Sequence, residues 1–224
     1  MLVFVGSRTT RERSARGAGL SVYEVDDTFG RWRLVQTLEL MNPSFLLAQG
    51  ATRRLYAVHG DFSDASSFSV GKEGRLTQLN QQPVRGRNPV HLELSADGKR
   101  LVVASYATGS MSALPIRPDG ALGDAASTLQ LVGTPGPHRD EQEGSHPHHS
   151  PRWPGTDLFI VPNKGLDRVH VVRLGSGGAL ELVSEATARS CSGPRHVAFG
   201  VSVRGGPGWA WVANELDSTV TGYQ

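Results

Sequence analysis

The chain has 224 residues, of which 38% are hydrophobic and 20% charged, and its formal net charge is +2. The acidic and basic residues are interspersed, so neither nucleic acid nor a membrane surface is expected as a partner. The N-terminal apolar run, LVFV, is too short for a signal peptide or a membrane span. The single cysteine, Cys191, excludes an internal disulfide and is interpreted as a small buried residue of a cytoplasmic protein.

A short strand-forming element recurs five times along the chain, at intervals of roughly 46 to 57 residues. Its copies are LVFVGSRT from Leu2, LYAVHGDF from Leu55, LVVASYAT from Leu101, LFIVPNKG from Leu158 and AWVANELD from Ala210. We interpret each copy as the second strand of a small antiparallel sheet. Sheets repeated at this interval are typical of the blades of a β-propeller.

The third copy shows how such a blade is built. An alternating strand from His91 leads to a turn at Asp97-Gly98, and Leu101 opens a continuous apolar run. A continuous run predicts a strand covered on both faces, which requires a neighbouring sheet on each side. Glycine supplies 27 residues, about 12% against a typical ~7%, as expected of many short strands joined by turns. We therefore predict one all-β domain over residues 1–224.

Several stretches resemble the lactonase family of seven-bladed β-propellers, which includes bacterial 6-phosphogluconolactonases and the fungal 3-carboxy-cis,cis-muconate cyclase. They are NPVHLELSADGKRLVVASYATGSMSALPIRPDGALG, SHPHH, VPNKGLDRVHVV, CSGPRHVAF and VANELDSTVTGY. A ring of seven blades at this spacing needs roughly 350 residues. The resemblance therefore implies a C-terminally truncated propeller of about four and a half blades, arranged as an open arc. Its unpaired strand edges are expected to favour association.

The resemblance also implies a site at the mouth of the central channel. His148 falls where the family has its active-site histidine, Arg195 opens the next inner strand, and Glu215 follows a second strand on a rim loop. We predict these three residues as catalytic, with Arg195 and His146 binding substrate. No cofactor is expected, and no metal, because the histidines have no acidic or cysteine partner at ligand spacing.

The same residues can also be interpreted without a catalytic role. The SHPHH segment can be a solvated, proline-broken loop or an adventitious metal-binding tract. Arg195 can pair with a neighbouring blade, and Glu215 can form a structural salt bridge. His91 and His196 are predicted to support the blades and not to catalyse.

The implied reaction is hydrolysis of a sugar δ-lactone, most simply 6-phosphogluconolactone. His148 would take a proton from water, Glu215 would hold the imidazole, and Arg195 would bind the charged substrate or the developing oxyanion. No GxSxG elbow is present, so a serine hydrolase is not expected. The alternatives are a carboxymuconate cyclase and a propeller fragment that binds a ligand or protein without catalysis.

Two segments depart from the family pattern. The fourth inner strand reads HSPRWPGTD, in which Pro151 and Pro154 would each remove a hydrogen-bond donor. After Phe199, the segment GVSVRGGPGW has glycines and a proline where a short turn is expected. Both departures leave the placing of His148 and Glu215 open.

Overall fold

The computed structural model describes residues 1–200 and 208–224, and it is 52% strand and 3% helix. The all-β prediction is therefore confirmed. Two short 3-10 helices span Arg11–Arg13 and Gly50–Thr52. No helix within the described residues is both long enough and apolar enough to cross a bilayer.

Five small antiparallel sheets follow one another along the chain. The first contains β1 (Leu2–Gly6), β2 (Leu20–Asp26) and β3 (Arg31–Leu38), and the second contains β4 (Pro43–Gln49), β5 (Arg54–His59), β6 (Asp64–Val70) and β7 (Leu76–Pro83). The third contains β8 (Pro89–Leu94), β9 (Arg100–Ser105), β10 (Ser110–Pro115) and β11 (Ser127–Gln130). The fourth contains β12 (Leu158–Asn163), β13 (Arg168–Leu174) and β14 (Leu180–Thr187), and the fifth contains β15 (Pro194–Gly200), β16 (Trp209–Asn214) and β17 (Thr219–Tyr223).

The predicted second strands are confirmed as β1, β5, β9, β12 and β16, each beginning within one residue of the predicted start. Alternate side chains of these strands face different neighbouring sheets. In β9, Leu101 and Val103 pack against the second sheet, whereas Val102 packs against the fourth. All three side chains are fully buried, as the continuous apolar run predicts.

Within the described residues, four apolar clusters join each sheet to the next, and the sheets do not close into a ring. The fold is thus the predicted incomplete β-propeller. On the fifth sheet, Trp209 and Trp211 face away from the fourth and are 38% and 46% exposed. Ala210 and Val212, which alternate with them, are buried against the fourth sheet. The association that open edges favour stays a prediction.

The fourth sheet has no regular inner strand, as its two prolines predict. The preceding segment nevertheless lies in that position, held by isolated bridges from Pro147 to Asn163 and from Arg152 to Phe159. The backbone N–H of His148 donates to the carbonyl of Pro162 at 3.2 Å. The segment therefore stays on its sheet despite the prolines. The second predicted departure falls largely on residues 201–207, which lie outside the described residues.

Replacing Leu101 by Ala tests the packing between the second and third sheets. Truncating the buried leucine leaves a cavity between two packed sheets. We therefore expect the free energy of unfolding to fall by about 2 to 5 kcal/mol. Urea denaturation measures it. Leu182→Ala is the matched control, since Leu182 is 41% exposed and its truncation should change stability by less than about 0.5 kcal/mol. Equal losses would contradict the packing described.

Candidate active site

In the second to fifth sheets, the inner strand, or in the fourth sheet the segment in its place, has a proline that faces the last residue of the second strand. The four pairs are Pro43 with His59, Pro89 with Ser105, Pro147 with Asn163, and Pro194 with Asn214. In three of the sheets the register then shifts, so that Ser44, Val90 and Arg195 are bulged. A bulge re-aims the side chain of the extra residue. His148 follows Pro147 at the equivalent position of the fourth sheet.

These bulged positions form a pocket of about 250 Å³ between the sheets. It is lined by Arg8 and by the residues one or two places after the prolines: Ser44, Phe45, Val90, His91, His148, Arg195 and His196. His148 and Arg195, predicted as catalytic partners, therefore line one pocket. Among the described residues, no acidic side chain contributes to its lining.

The turn before β15 positions Arg195. The buried carboxylate of Asp167 accepts backbone hydrogen bonds from Cys191 at 2.7 Å and from Gly193 at 2.9 Å, tying this turn to the fourth sheet. Gly193 has a φ of +61°, and a Cβ atom there would lie 2.5 Å from Cγ of Leu216. Only glycine meets both conditions without strain.

A chain of alternating charges then holds the Arg195 side chain. Its Nε lies 3.1 Å from Oε2 of Glu215, and the same oxygen lies 2.9 Å from Nζ of Lys164. Lys164 also donates to Oε2 of Glu141 at 2.5 Å. Burial lowers the pKa of Lys164, but the hydrogen bonds with Glu141 and Glu215 outweigh it, so the pKa is raised. The buried ammonium thus stays charged and fixes Glu215 against Arg195.

Sequence reasoning missed Lys164, although a signal for it exists. In two successive blades the second strand ends at an asparagine, Asn163 or Asn214. The next residue, the first of the loop, is Lys164 in one blade and Glu215 in the other. Equivalent positions in adjacent blades lie side by side, so opposite charges there predict an ion pair. The repeated prolines at the starts of the inner strands would likewise have identified the residues that line the pocket.

The histidines of the pocket are packed ring to ring and are neutral near pH 7. Burial, followed by the charge of Arg195, lowers the pKa of His148 to about 3. Burial and the neighbouring His196 lower the pKa of His149 to about 4. Burial also holds the pKa of His91 well below its ordinary range, and its Nδ1 accepts a hydrogen bond from the backbone N–H of Ser150 at 3.2 Å.

The other predicted residues have different surroundings from those expected. Glu215 pairs with Arg195 and Lys164 and, within the described residues, not with His148. His146 is buried outside the pocket lining, stacked on Tyr106 with ring centroids 4.2 Å apart. Its Nδ1 lies 3.0 Å from the carbonyl oxygen of Tyr106. His91 and His196, predicted as supporting residues, line the pocket. The functional roles of all these residues stay predictions.

Residues 2–224 match the family described as "Lactonase, 7-bladed beta-propeller". The chain belongs to this family. Its relatives include the 6-phosphogluconolactonases of Pectobacterium atrosepticum, with 33% identity over 87% of this chain, and of Bacillus subtilis, with 27% identity over 81%. These matches cover 54% and 51% of the two relatives, so the chain spans about half the length of the curated proteins it resembles.

Solved structures of the family share the fold. A candidate 6-phosphogluconolactonase from Bacteroides fragilis superposes with a TM-score of 0.86 at 26% identity, over 100% of this chain and 63% of that one. A periplasmic gluconolactonase from Pseudomonas aeruginosa superposes with a TM-score of 0.78 at 25% identity, over 100% of this chain and 66% of that one. Within the described residues, no group of three or more His, Cys, Asp or Glu side chains could hold a metal ion.

The depressed histidine pKa values predict a stability that falls with acidification. Above the ordinary histidine pKa of about 6.5, both folded and unfolded chains keep these rings neutral and the stability is complete. As pH falls below 6.5, His148 and His149 become protonated in the unfolded chain. In the folded chain they stay neutral until the pH approaches their pKa values of about 3 and about 4, so the unfolded chain is favoured. Urea unfolding at pH 7 and pH 5 measures the loss.

His149→Gln is the diagnostic variant, since Gln keeps an acceptor for the backbone N–H of Val197, which His149 Nδ1 accepts at 3.1 Å. It should reduce the loss of stability between pH 7 and pH 5 by about 2 kcal/mol. Leu182→Ala, which changes no titratable group, is the control and should leave the loss intact. A wild-type stability that does not change over this range would contradict the assignment of neutral rings.

Proposed function

We propose that this chain hydrolyses a sugar δ-lactone, with 6-phosphogluconolactone as substrate and 6-phosphogluconate as product. The supporting observation is that a neutral histidine, His148, and a fixed arginine, Arg195, line one pocket. This pairing supplies a base for water and a positive charge for an oxyanion. The names of the curated relatives favour the phosphorylated lactone.

In the proposed first step, His148 accepts a proton from a water molecule while the water oxygen bonds to the lactone carbonyl carbon. His148 is able to accept this proton because its ring is neutral and lines the pocket. A pKa of about 3 makes the resting ring a weak base. As negative charge develops on the substrate oxygen, it offsets the charge of Arg195 and stabilises the imidazolium that forms.

In the second step the tetrahedral intermediate collapses. The bond from the carbonyl carbon to the ring oxygen breaks, and His148 returns its proton to the departing alkoxide. The product is an open-chain hydroxy acid, and the histidine is neutral again. Arg195 stabilises the oxyanion throughout, which is the kind of interaction that contributes most in acyl transfer.

Glu215 has a positioning role in this proposal. Its carboxylate lies 3.1 Å from Nε of Arg195, so the attraction between the two charges holds the guanidinium beside Glu215. Lys164 in turn holds Glu215 from the fourth sheet. This role differs from the predicted one, in which Glu215 orients His148.

We also propose that residues 1–224 act as one domain in the cytoplasm. The four apolar clusters that link successive sheets support a single unit. A free Cys191 is compatible with a reducing compartment.

Replacing His148 or Arg195 tests the reaction. The wild-type chain should hydrolyse 6-phosphogluconolactone faster than the spontaneous rate, which is subtracted. Arg195→Ala should lower kcat by about 10² to 10³, the usual effect of losing an oxyanion donor. His148→Gln should lower it by about 10² to 10⁴ through loss of the base.

Arg189→Ala is the matched control, because Arg189 pairs with Asp217 outside the pocket and its loss should leave kcat unchanged. Wild-type protein with no rate above background would refute the proposed hydrolysis. Cyclisation of a carboxymuconate instead would move the chain to the cyclase branch of the family.

Replacing Lys164 tests the positioning of Arg195. In Lys164→Met, Glu141 and Glu215 lose their shared cation and repel each other, so Glu215 no longer fixes Arg195. We expect kcat to fall by about tenfold or more while KM changes less. Lys164→Arg should recover most of the rate, whereas the exposed control Lys72→Met should match wild type. Full activity in folded Lys164→Met would contradict this role.

A further inference from the structure

Arg8 lines the pocket, yet the proposed reaction gives it no role. It follows β1 in the first sheet, whereas Arg195 lies on β15 of the fifth sheet. The pocket therefore receives guanidinium groups from both ends of the arc. Its histidines are neutral near pH 7, and no acidic side chain among the described residues lines it. Such a lining attracts an anion.

The carboxylate nearest to Arg8 is already shared. Asp61 forms ion pairs with both Arg8 and Arg13. Arg13 uses two nitrogens, Nε at 3.0 Å and Nη2, while Arg8 uses only Nη1. The hydrogen bond from Arg13 is also the largest cause of the lowered pKa of Asp61. One negative charge between two guanidiniums leaves a surplus positive charge, and Arg8 keeps further N–H donors for a ligand.

A hydroxyl group lies beside Arg8 in the same pocket. Ser44 lines the pocket, and its buried Oγ has no hydrogen-bond partner within the part of the chain that the structure describes. Gly60 leaves room for both side chains, since a Cβ atom there would lie 2.8 Å from Oγ of Ser44 and 3.1 Å from Nη1 of Arg8. A guanidinium beside an unsatisfied hydroxyl suits the several acceptor oxygens of a phosphate.

We propose that Arg8 is a second anion-binding residue of this pocket and that, with Ser44, it binds the phosphate group of the substrate. Arg195 then remains available for the lactone carbonyl. The inference rests on the proposed function in taking this pocket as the substrate site. It adds a residue that determines specificity for phosphorylated over unphosphorylated sugar acids.

Binding of the product to the full chain tests this role without any turnover. Isothermal titration calorimetry compares 6-phosphogluconate with gluconate, which differs only by lacking the phosphate. Wild type should bind 6-phosphogluconate more tightly than gluconate. Arg8→Gln should weaken 6-phosphogluconate binding by about tenfold or more and leave gluconate binding nearly unchanged.

Arg189→Gln is the matched control, since Arg189 also pairs with a carboxylate, that of Asp217, but does not line the pocket. It should leave both affinities unchanged. If Arg8→Gln fails to fold, Arg8→Lys replaces it and should give an intermediate affinity for 6-phosphogluconate. Equal wild-type affinities for the two ligands, unchanged binding in the Arg8 variant, or equal losses in the Arg8 and Arg189 variants would overturn the proposal.

The two proposals fail separately. Phosphate-dependent binding that disappears in Arg8→Gln, in a protein without lactone turnover, would support Arg8 and reject the proposed reaction. Turnover of 6-phosphogluconolactone with the same KM in Arg8→Gln and wild type would support the proposed reaction and reject the role of Arg8.

Discussion

The second strands of the second, third and fourth sheets have buried apolar side chains on both faces, so each is covered by a sheet on either side. Leu101 and Val102 of β9 show this directly, because they are buried against different sheets. Stacking sheets in chain order satisfies this demand and also brings the same end of every second strand to one edge. The prolines that open the inner strands then lie together, and so do the bulged residues that follow them. The pocket is thus a consequence of how the core is buried.

A repeated scaffold allows chemistry to change at equivalent positions without a change of fold. Val90, His148 and Arg195 follow equivalent prolines, yet one is apolar, one is a neutral base and one is a cation. The loops after the second strands also have different side chains at equivalent positions. Lys164 and Glu215 occupy equivalent places in adjacent blades and form an ion pair. Each blade therefore contributes a different group to one site, and interactions between blades hold those groups in place.

The sequence predicts the repeat, because strand periodicity is local. All five second strands were located to within one residue, and the shared pocket of His148 and Arg195 agrees with the juxtaposition that the family resemblance implies. The identity of the ion pairs was not predicted, since they join residues far apart in the chain. Glu215 was expected to hold the His148 ring, with a structural salt bridge as the alternative; it forms salt bridges with Arg195 and with Lys164, which was missed. Comparing equivalent loop positions across blades would have revealed the pairing of Lys164 with Glu215.

The central claim is that His148 and Arg195 act on one substrate in the pocket that the inner strands form. A crystal structure of the chain with bound 6-phosphogluconate tests it most directly. We predict that the product carboxylate lies within hydrogen-bond distance of the Arg195 guanidinium and close to the His148 ring. Product bound outside this pocket, or an Arg195 side chain turned to solvent while product is bound, would contradict it.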